Sequence, residues 1–304
     1  MEEGLIEHIP VLSQQLAEQV ILPPDAVMVD ATIGQGGHSY LFGRALGPQG
    51  VVIGFDVDEK AMEKAEERLK TLKCRVILVH SNFSQIADEL NNQGIKGADF
   101  ILADLGVSSP QLGASEFGLS FLEDMPLDMR IDKRIQRSAA DIIKYLDEKS
   151  LADLIYQYGE DRASRRIARF IVQSRKDFPI TTTGRLANVV CRALGNRGKG
   201  RSRIHPATRT FQALRIAVND ELENLKALLD SAPEVLKRGG RIAVISFHSL
   251  EDRLVKYNFR KNKEENVYEI ITKKPLIPTR QEISENRRCR SAKLRIARKI
   301  SEGD

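Results

Sequence analysis

The sequence contains few cysteines and no long hydrophobic run. Its three cysteines, Cys74, Cys191 and Cys289, are far apart and none belongs to a Cys-x-x-Cys pair, so neither a disulfide framework nor a metal site is predicted. This cysteine usage is typical of a reducing compartment, and we expect a cytoplasmic protein. No apolar stretch approaches the roughly 18 residues that a membrane helix needs, and the acidic start does not resemble a signal peptide. The sequence therefore predicts no membrane partner.

The chain is long enough for one large domain or two. Of its 304 residues, 41% are hydrophobic, which is compatible with a sizeable core. The formal net charge of +5 suggests a polyanionic partner if the positive charges cluster, and only good solubility if they are spread evenly. The distribution of charge along the chain therefore has to decide between the two.

Residues 29–39 organise the rest of the chain. An apolar run is followed by Gly34, Gly36 and Gly37 and then by a helical pattern, which predicts a strand, a tight turn and a helix with unpaired amides at its start. One helix later, a second apolar strand ends at Asp56, where a ribose-binding carboxylate belongs in a β-α-β nucleotide unit. The glycines alone would also fit an ordinary turn, and Asp56 alone a helix start. Their order favours a ligand site.

The residues around this turn indicate which ligand it accepts. Ser39 stands where the dinucleotide pattern has its third glycine, and Asp30 places a carboxylate just before the loop. An anionic pyrophosphate would be repelled there. S-adenosylmethionine has no phosphate, carries an ammonium that Asp30 could attract, and presents a ribose diol to Asp56. We therefore expect this cofactor rather than a nicotinamide dinucleotide.

Two further strands are predicted, and chemically useful residues follow each of them. Phe83 follows the strand at 76–79 and is expected either to pack on an adenine ring or to join the core. The strand at 99–105 contains Asp104, and Ser108 and Ser109 follow in a turn with a proline. An exocyclic amine of a nucleobase is a poor nucleophile, so acceptors that hold its hydrogens would supply most of the catalysis. Asp104, Ser108 and Ser109 are candidates, although Asp104 could instead bind the cofactor or cap the turn.

The cysteines bear on the type of methyl transfer. Methylation at a pyrimidine carbon needs a cysteine nucleophile, usually presented in a turn such as Cys-Pro. Each cysteine here is followed by arginine. Direct transfer to nitrogen or oxygen is therefore favoured.

From residue 111 to 208 helical patterns replace the strand-helix alternation, which predicts an inserted helical domain with a strongly basic composition. Four arginines, two of them adjacent and the others three residues to either side, are expected to form one basic helix face that binds phosphates, and a glycine-rich basic loop follows at 195–203. A solvated face is the alternative. The nucleic-acid-binding candidates in this region are Arg162, Arg165, Arg166, Arg169, Arg201 and Arg203.

The first domain is expected to resume at residue 209. Phe211, Leu214, Val218, Leu225 and Leu229 are spaced as the apolar stripe of one long helix. A strand at 241–246 then leads to His248, which is either a substrate contact or structural, and Ser249 with Asp252 is predicted to form a capping box. The end of the chain is a second basic region, with Arg288 and Arg290 as RNA-binding candidates.

These motifs together resemble a known family along nearly the whole chain, the bacterial 16S rRNA cytosine N4-methyltransferases known as RsmH or MraW. The residues that carry the resemblance are 8–12, 30–39, 104–111, 126–130, 158–160, 205–222, 246–253 and 290–295. The resemblance implies an α/β fold with a class I, Rossmann-like sheet that binds S-adenosyl-L-methionine. Residues 1–110 and 209–304 would form this methyltransferase domain, and residues 111–208 an inserted all-helical, basic substrate-binding domain.

The resemblance also implies the reaction and the cofactor contacts. The substrate would be a cytidine in the decoding centre of 16S rRNA, within the small ribosomal subunit, and a homodimer is one option. Asp104 becomes a cofactor ligand rather than a base. Departures from the family pattern at 117–121, Met125 and Arg287 affect the substrate side. The implied cofactor contacts are Gly36, Gly37, His38, Asp56, Phe83, Asp104 and Gln111.

Two alternatives remain open from the sequence. One is a non-catalytic assembly factor that binds rRNA and retains a relic cofactor pocket. The other is an amino-methyltransferase that acts on DNA or on a protein. The catalytic group is not identified by the sequence, and Asp104, Ser108, Ser109 and His248 are its candidates.

Overall fold

The structure, a computed structural model, describes residues 10–114, 116–195 and 205–300. The chain divides into two compact units. The sheet unit comprises Met1–Gly106 and Leu222–Asp304, and the helical unit comprises Val107–Glu221. Within the described ranges, no helix combines the length and the apolar character needed to cross a membrane.

The sheet unit is built on seven strands in the order β3-β2-β1-β4-β5-β7-β6. Strands β1 to β5 run parallel, and β7 is antiparallel to both of its neighbours. The strands are β1 (Val27–Asp30), β2 (Val51–Asp56), β3 (Arg75–His80), β4 (Ala98–Asp104), β5 (Leu236–Ser246), β6 (Tyr268–Ile270) and β7 (Lys293–Lys299). The predicted Rossmann-like α/β sheet is therefore confirmed.

Helices cover both faces of this sheet, because alternate residues of each strand point to opposite sides. Val29 and Ile101 belong to one hydrophobic cluster, and their neighbours Met28, Phe100 and Leu102 belong to another. The helices of this unit are α1 (Ser13–Gln19), α2 (Gly37–Gly43), α3 (Glu59–Leu69), α4 (Ile86–Asn92), α11 (Glu221–Val235), α12 (Ser249–Glu264) and α13 (Arg280–Glu285). After β1 the chain adds β2 and β3 on one side of β1, and it then crosses to add β4 on the other side. The crevice where such sheets bind ligands lies at this reversal, between β1 and β4.

The helical unit contains no strand among its described residues. Three of its helices begin at polar caps: Ser138 and Asp141 form a capping box at α6, Asp147 caps α7 and Thr182 caps α9. One hydrophobic cluster, which extends in sequence from Phe117 to Val218, forms its core. The helices are α5 (Ser109–Gly113), α6 (Ala139–Tyr145), α7 (Glu148–Gly159), α8 (Ser164–Asp177), α9 (Thr183–Leu194) and α10 (Thr208–Asn219).

The prediction of one long helix from Phe211 to Leu229 is wrong. Helix α10 ends at Asn219, Asp220 adopts a left-handed conformation with φ 48°, and α11 begins at the next residue. Phe211 belongs to the core of the helical unit, whereas Leu229 belongs to the core of the sheet unit. An aspartate tolerates the left-handed region better than most residues, so a single position suffices for the break. The second boundary between the compact units consequently lies after residue 221 rather than 208.

Candidate functional site

Acidic residues stand at the carboxyl ends of three neighbouring strands of the sheet unit. Asp30 ends β1, Asp56 ends β2 and Asp104 ends β4, and β1 lies between the other two strands. This convergence follows from the topology, because the carboxyl ends of parallel strands lie at one edge of the sheet. The edge is therefore the candidate ligand site.

The loop between β1 and α2 depends on glycine at two positions. Gly36 has a φ of 78° and caps α2, and a Cβ atom there would lie 3.3 Å from the Cα of Ala65. At Gly37, which begins the helix, a Cβ atom would lie 2.8 Å from Cγ of Pro10. Any side chain would therefore strain the turn or displace a neighbour, so the main chain itself forms this part of the edge.

The Asp56 carboxylate connects the glycine loop to the end of β2. Its Oδ2 accepts a hydrogen bond from the backbone amide of Gly34 at 2.9 Å, and its Oδ1 accepts from Val57 and Asp58 at 2.8 and 3.0 Å. Burial raises the pKa of the Asp56 carboxyl, and the three amide donors oppose that effect. Each carboxylate oxygen offers more than one acceptor site, so Asp56 can position the loop and still accept hydrogen bonds from a ligand.

His38 and Asp104 contain buried polar atoms without partners. Nε2 of His38 lies 3.6 Å from Oδ2 of Asp104. Both ring nitrogens of His38, which is 6% exposed, and Oδ1 of Asp104 are buried and lack a hydrogen bond to any described residue. An unsatisfied buried polar group costs on the order of 1–3 kcal/mol. A polar ligand that supplied donors and acceptors at this point would remove that cost.

The Asp30 side chain is buried inside the protein rather than open to a ligand. We expected it to attract a ligand's ammonium, but its side chain is buried, with Oδ2 accepting from the Ser39 hydroxyl at 2.7 Å and Oδ1 from the Thr32 amide at 3.2 Å. Burial raises the pKa of its carboxyl to about 6, and the Ser39 hydrogen bond opposes the rise. Asp30 therefore fastens α2 to β1. Thr32, which no sequence motif had indicated, contributes as well, because its Oγ1 accepts from the Asp104 amide at 2.7 Å.

Phe83 and Gln111 lie in different units of the chain. Phe83 begins a short 3-10 turn after β3 and is half-buried against the core of the sheet unit. Gln111 is buried in the helical unit, where its Oε1 accepts from the Ser108 amide at 2.9 Å and its own amide donates to the Ser108 hydroxyl at 3.3 Å. Ser109 begins α5 beside them. Ser108 and Gln111 therefore stabilise the turn that opens this helix.

His248 caps helix α12 together with Glu251. Its Nδ1 accepts from the Glu251 amide at 3.4 Å, and Oε2 of Glu251 accepts from the amides of Phe247 and His248 at 2.7 and 3.2 Å. The predicted capping box of Ser249 and Asp252 is wrong, because Asp252 instead forms ion pairs with β7. Nδ1 of His248 thus caps this helix, while its Nε2 is buried 3.2 Å from Oε1 of Glu251 and has no hydrogen-bond partner among the described residues.

The candidate RNA-binding arginines of the helical unit are exposed where the structure describes them. Arg165, Arg166 and Arg169 lie on α8, and Arg162 is in the turn before it. Arg169 lies 3.6 Å from Glu148, and both side chains are largely exposed. An ion pair of this kind contributes little to stability. Arg201 and Arg203 lie outside the described residues.

The second basic region lies near the edge of the sheet where Asp30, Asp56 and Asp104 end their strands. Arg288 and Arg290 are exposed on a 3-10 turn that leads into β7. Because β7 is antiparallel to β5, its first residue, Lys293, pairs with Ser246 at the carboxyl end of β5. The exposed arginines therefore lie near the same edge as the three aspartates.

Comparison with known proteins decides the family. A family model described as the MraW methylase family matches residues 5–300. The chain belongs to the MraW methylase family. The family resemblance seen in the sequence is therefore confirmed, and with it the class I methyltransferase type of the sheet.

Relatives in the MraW methylase family match over nearly their whole length, and each of the following is called ribosomal RNA small subunit methyltransferase H. The protein of Clostridioides difficile is 44% identical over 96% of this chain and 99% of its own, and that of Acidobacterium capsulatum is 46% identical over 96% and 98%. The protein of a Cyanothece species is 48% identical over 96% and 95%. A solved rRNA methylase from Streptococcus thermophilus is 13% identical, with a TM-score of 0.44 over 95% of this chain and 94% of its own.

Proposed function

We propose that the protein transfers a methyl group from S-adenosyl-L-methionine to the N4 amine of a cytidine in the decoding centre of 16S rRNA. Membership of the MraW methylase family and the names of the relatives support an rRNA methyltransferase. The observation that carries the cofactor part is the set of unpartnered buried atoms of His38 and Asp104 beside the glycine loop.

The residues at the sheet edge fit this cofactor by their chemistry. Asp56 would accept from the ribose hydroxyls, and the main chain at Gly36 and Gly37 would lie against the adenosyl group. Asp104 would accept from the ammonium of the methionine part, and His38 would hydrogen-bond the same part. Phe83 and Gln111 are proposed as further contacts. When bound, the cofactor supplies an electrophilic methyl group on a sulfonium.

The protein's contribution to the reaction is proposed to be positioning. The lone pair of a cytosine amine is delocalised into the ring, so the amine reacts only when acceptors hold its hydrogens and direct it at the methyl group. Asp104, Ser108, Ser109 and His248 are the candidate acceptors. The Ser108 hydroxyl already accepts from the Gln111 amide, whereas Oδ1 of Asp104, assigned above to the cofactor, and Nε2 of His248 are buried atoms without a hydrogen-bond partner among the described residues.

The basic residues of both units would hold the RNA backbone. Arg162, Arg165, Arg166 and Arg169 in the helical unit and Arg288 and Arg290 in the sheet unit are proposed phosphate contacts. Small ribosomal subunits are the proposed form of the substrate, because a base buried in folded rRNA would have to be drawn out of its stack.

A methyl-transfer assay tests this function. Tritiated S-adenosylmethionine is incubated with small subunits that lack the modification, and the labelled nucleoside is identified by mass spectrometry. Label on N4 of one cytidine is the expected result. Binding without transfer would indicate a non-catalytic assembly factor, and label that appears only on DNA or protein would indicate a different amino-methyltransferase. Label on another rRNA atom would overturn the proposed position but not the reaction class.

A further inference from the structure

Helix α12 of the sheet unit presents a basic face that the proposed function has not used. At 3.6 residues per turn, positions 253, 257 and 260 lie on one side of the helix, with 256 and 261 on its flanks. The opposite side, with Val255 and Phe259, is buried in the core of the sheet unit. We call the outer side the α12 stripe, and it consists of Arg253, Lys256, Tyr257, Arg260 and Lys261.

Helix α12 carries three acidic residues, and only one of them shares the side of the stripe with its four cations. Glu251 is buried and accepts backbone amides. Asp252 is paired with Lys293 at 3.1 Å and Arg295 at 2.7 Å on β7. Glu264, in the last turn, is exposed and lies on the same side of the helix, 11 residues beyond Arg253, so one acid stands at the far end of the stripe. A charged face that served only solubility would normally carry acids interspersed with its bases.

An exposed aromatic residue lies within the stripe. Tyr257 is 59% exposed, and Nζ of Lys256 lies 6.0 Å from the centre of its ring. With cations at positions 253, 256, 260 and 261, this ring has neighbours on both sides along the helix. Aromatic rings beside cations are the usual means by which proteins stack unpaired bases while they bind the adjoining phosphates.

The stripe begins beside the functional edge of the sheet. Helix α12 starts three residues after Ser246, the last residue of β5, and Arg253 lies in its second turn. The ion pairs of Asp252 attach this end of the helix to β7, whose first residue follows the exposed turn with Arg288 and Arg290. From Arg253 to Arg260 the stripe then extends about 10 Å along the helix, at 1.5 Å per residue.

From these observations we infer that the α12 stripe binds a single-stranded segment of the RNA substrate beside the nucleotide that is methylated. The arginines and lysines would contact phosphates, and Tyr257 would stack on a base. The inference rests on the proposed RNA substrate. A membrane surface is disfavoured, because a helix that lies on a bilayer inserts its apolar face, and the apolar face of α12 is occupied by the protein core.

Variants of the α12 stripe separate the contributions of charge and of base stacking to RNA binding. The triple variant Arg253→Ala, Lys256→Ala and Arg260→Ala should weaken binding of a 16S rRNA transcript and reduce the slope of log affinity against log salt by about two, because three phosphate contacts to single-stranded RNA are lost. Tyr257→Ala should weaken binding about 5- to 100-fold with an unchanged salt slope. Tyr257→Phe, which keeps the ring, should bind within about twofold of wild type.

The matched control removes the same charge elsewhere. Lys64→Ala, Lys70→Ala and Lys73→Ala change three exposed lysines on or just after α3, among exposed glutamates, and should leave the salt slope unchanged. Calorimetry with S-adenosylmethionine and thermal melting should show that all variants fold and bind the cofactor as wild type does.

The outcomes distinguish this inference from the proposed function. If wild type binds the transcript and the stripe variants bind it equally well, the inference is overturned and the proposed function stands. If the stripe variants instead lose binding only to phosphatidylserine vesicles, the stripe is a membrane-facing surface and the inference is also overturned. If wild type binds no rRNA at all, the proposed substrate and the inference fail together.

Discussion

The Ser39 hydroxyl donates a 2.7 Å hydrogen bond to the buried carboxylate of Asp30. Ser39 occupies the position where the dinucleotide-binding pattern has a glycine, and the bond shows what replaces that glycine. The first turn of α2 is attached to the end of β1 by a side-chain contact. The same contact makes Asp30 a structural residue with a titration that should be measurable.

We expect Asp30 to make stability depend on pH. Burial raises the pKa of its carboxyl from 3.8 to about 6, so between these values the folded protein binds more protons than the unfolded chain. The contribution of this group to stability therefore falls as the pH rises through this window. Relative to Asp30→Asn, wild type should lose about 2 kcal/mol of unfolding free energy between pH 4.5 and 7.5. Urea titrations at both pH values measure the difference, and a constant difference would contradict the argument.

We expect Asp56→Ala to abolish measurable binding of S-adenosylmethionine in a calorimetric titration. The variant would lose the two proposed hydrogen bonds from the ribose hydroxyls to the charged carboxylate, each worth about 1.5–3 kcal/mol. This loss corresponds to a reduction of at least 100-fold in affinity for the cofactor. The control is Asp58→Ala, which removes the cap of α3 and should cost about 1 kcal/mol of stability without affecting binding. Unchanged affinity in Asp56→Ala would show that the ligand does not contact this strand end.

We expect His38→Leu to separate stability from binding. The ring nitrogens of His38 are buried and have no hydrogen bond to the described residues, so an apolar replacement should leave the melting temperature unchanged or raise it. Affinity for S-adenosylmethionine should fall at least tenfold. Thermal melting and calorimetry on the same samples test both parts. A variant that melts lower and binds normally would show that His38 is a structural residue.

We expect the basic face of α8 to contribute to RNA affinity through charge alone. Replacing Arg165, Arg166 and Arg169 together by alanine should weaken binding of a 16S rRNA transcript and reduce the salt slope by about two. The three α3 lysines changed together serve as the control. If the salt dependence of RNA binding is unaltered, the basic face of α8 does not contact the RNA. Because these arginines are exposed, unfolding free energy should change by less than about 0.5 kcal/mol.

The nucleotide-binding part of the fold was readable from the sequence because its signals are local. An apolar strand, glycines and a carboxylate one helix later are close together in the chain, and the structure places Asp30, Asp56 and Asp104 at one edge of the sheet. Parallel strands alone produce this convergence. The prediction therefore needed no knowledge of long-range contacts.

The errors arose where alternatives of equal local merit compete. A single left-handed residue, Asp220, divides a stripe whose helical spacing is otherwise unbroken. At the start of α12, both Ser249 with Asp252 and His248 with Glu251 have the spacing of a capping box. Long-range packing decides between them, because Asp252 is needed by Lys293 and Arg295 on β7, 41 and 43 residues away in sequence.

Strand β7 follows the other six strands in the chain, yet it lies in the interior of the sheet between β5 and β6. During synthesis, which proceeds from the N-terminus, β5 and β6 must wait for this strand before they can make the hydrogen bonds that join them to it. The core of the helical unit, in contrast, comes from one uninterrupted segment that leaves the ribosome earlier. The nascent chain should therefore complete its helical unit first and its sheet unit last.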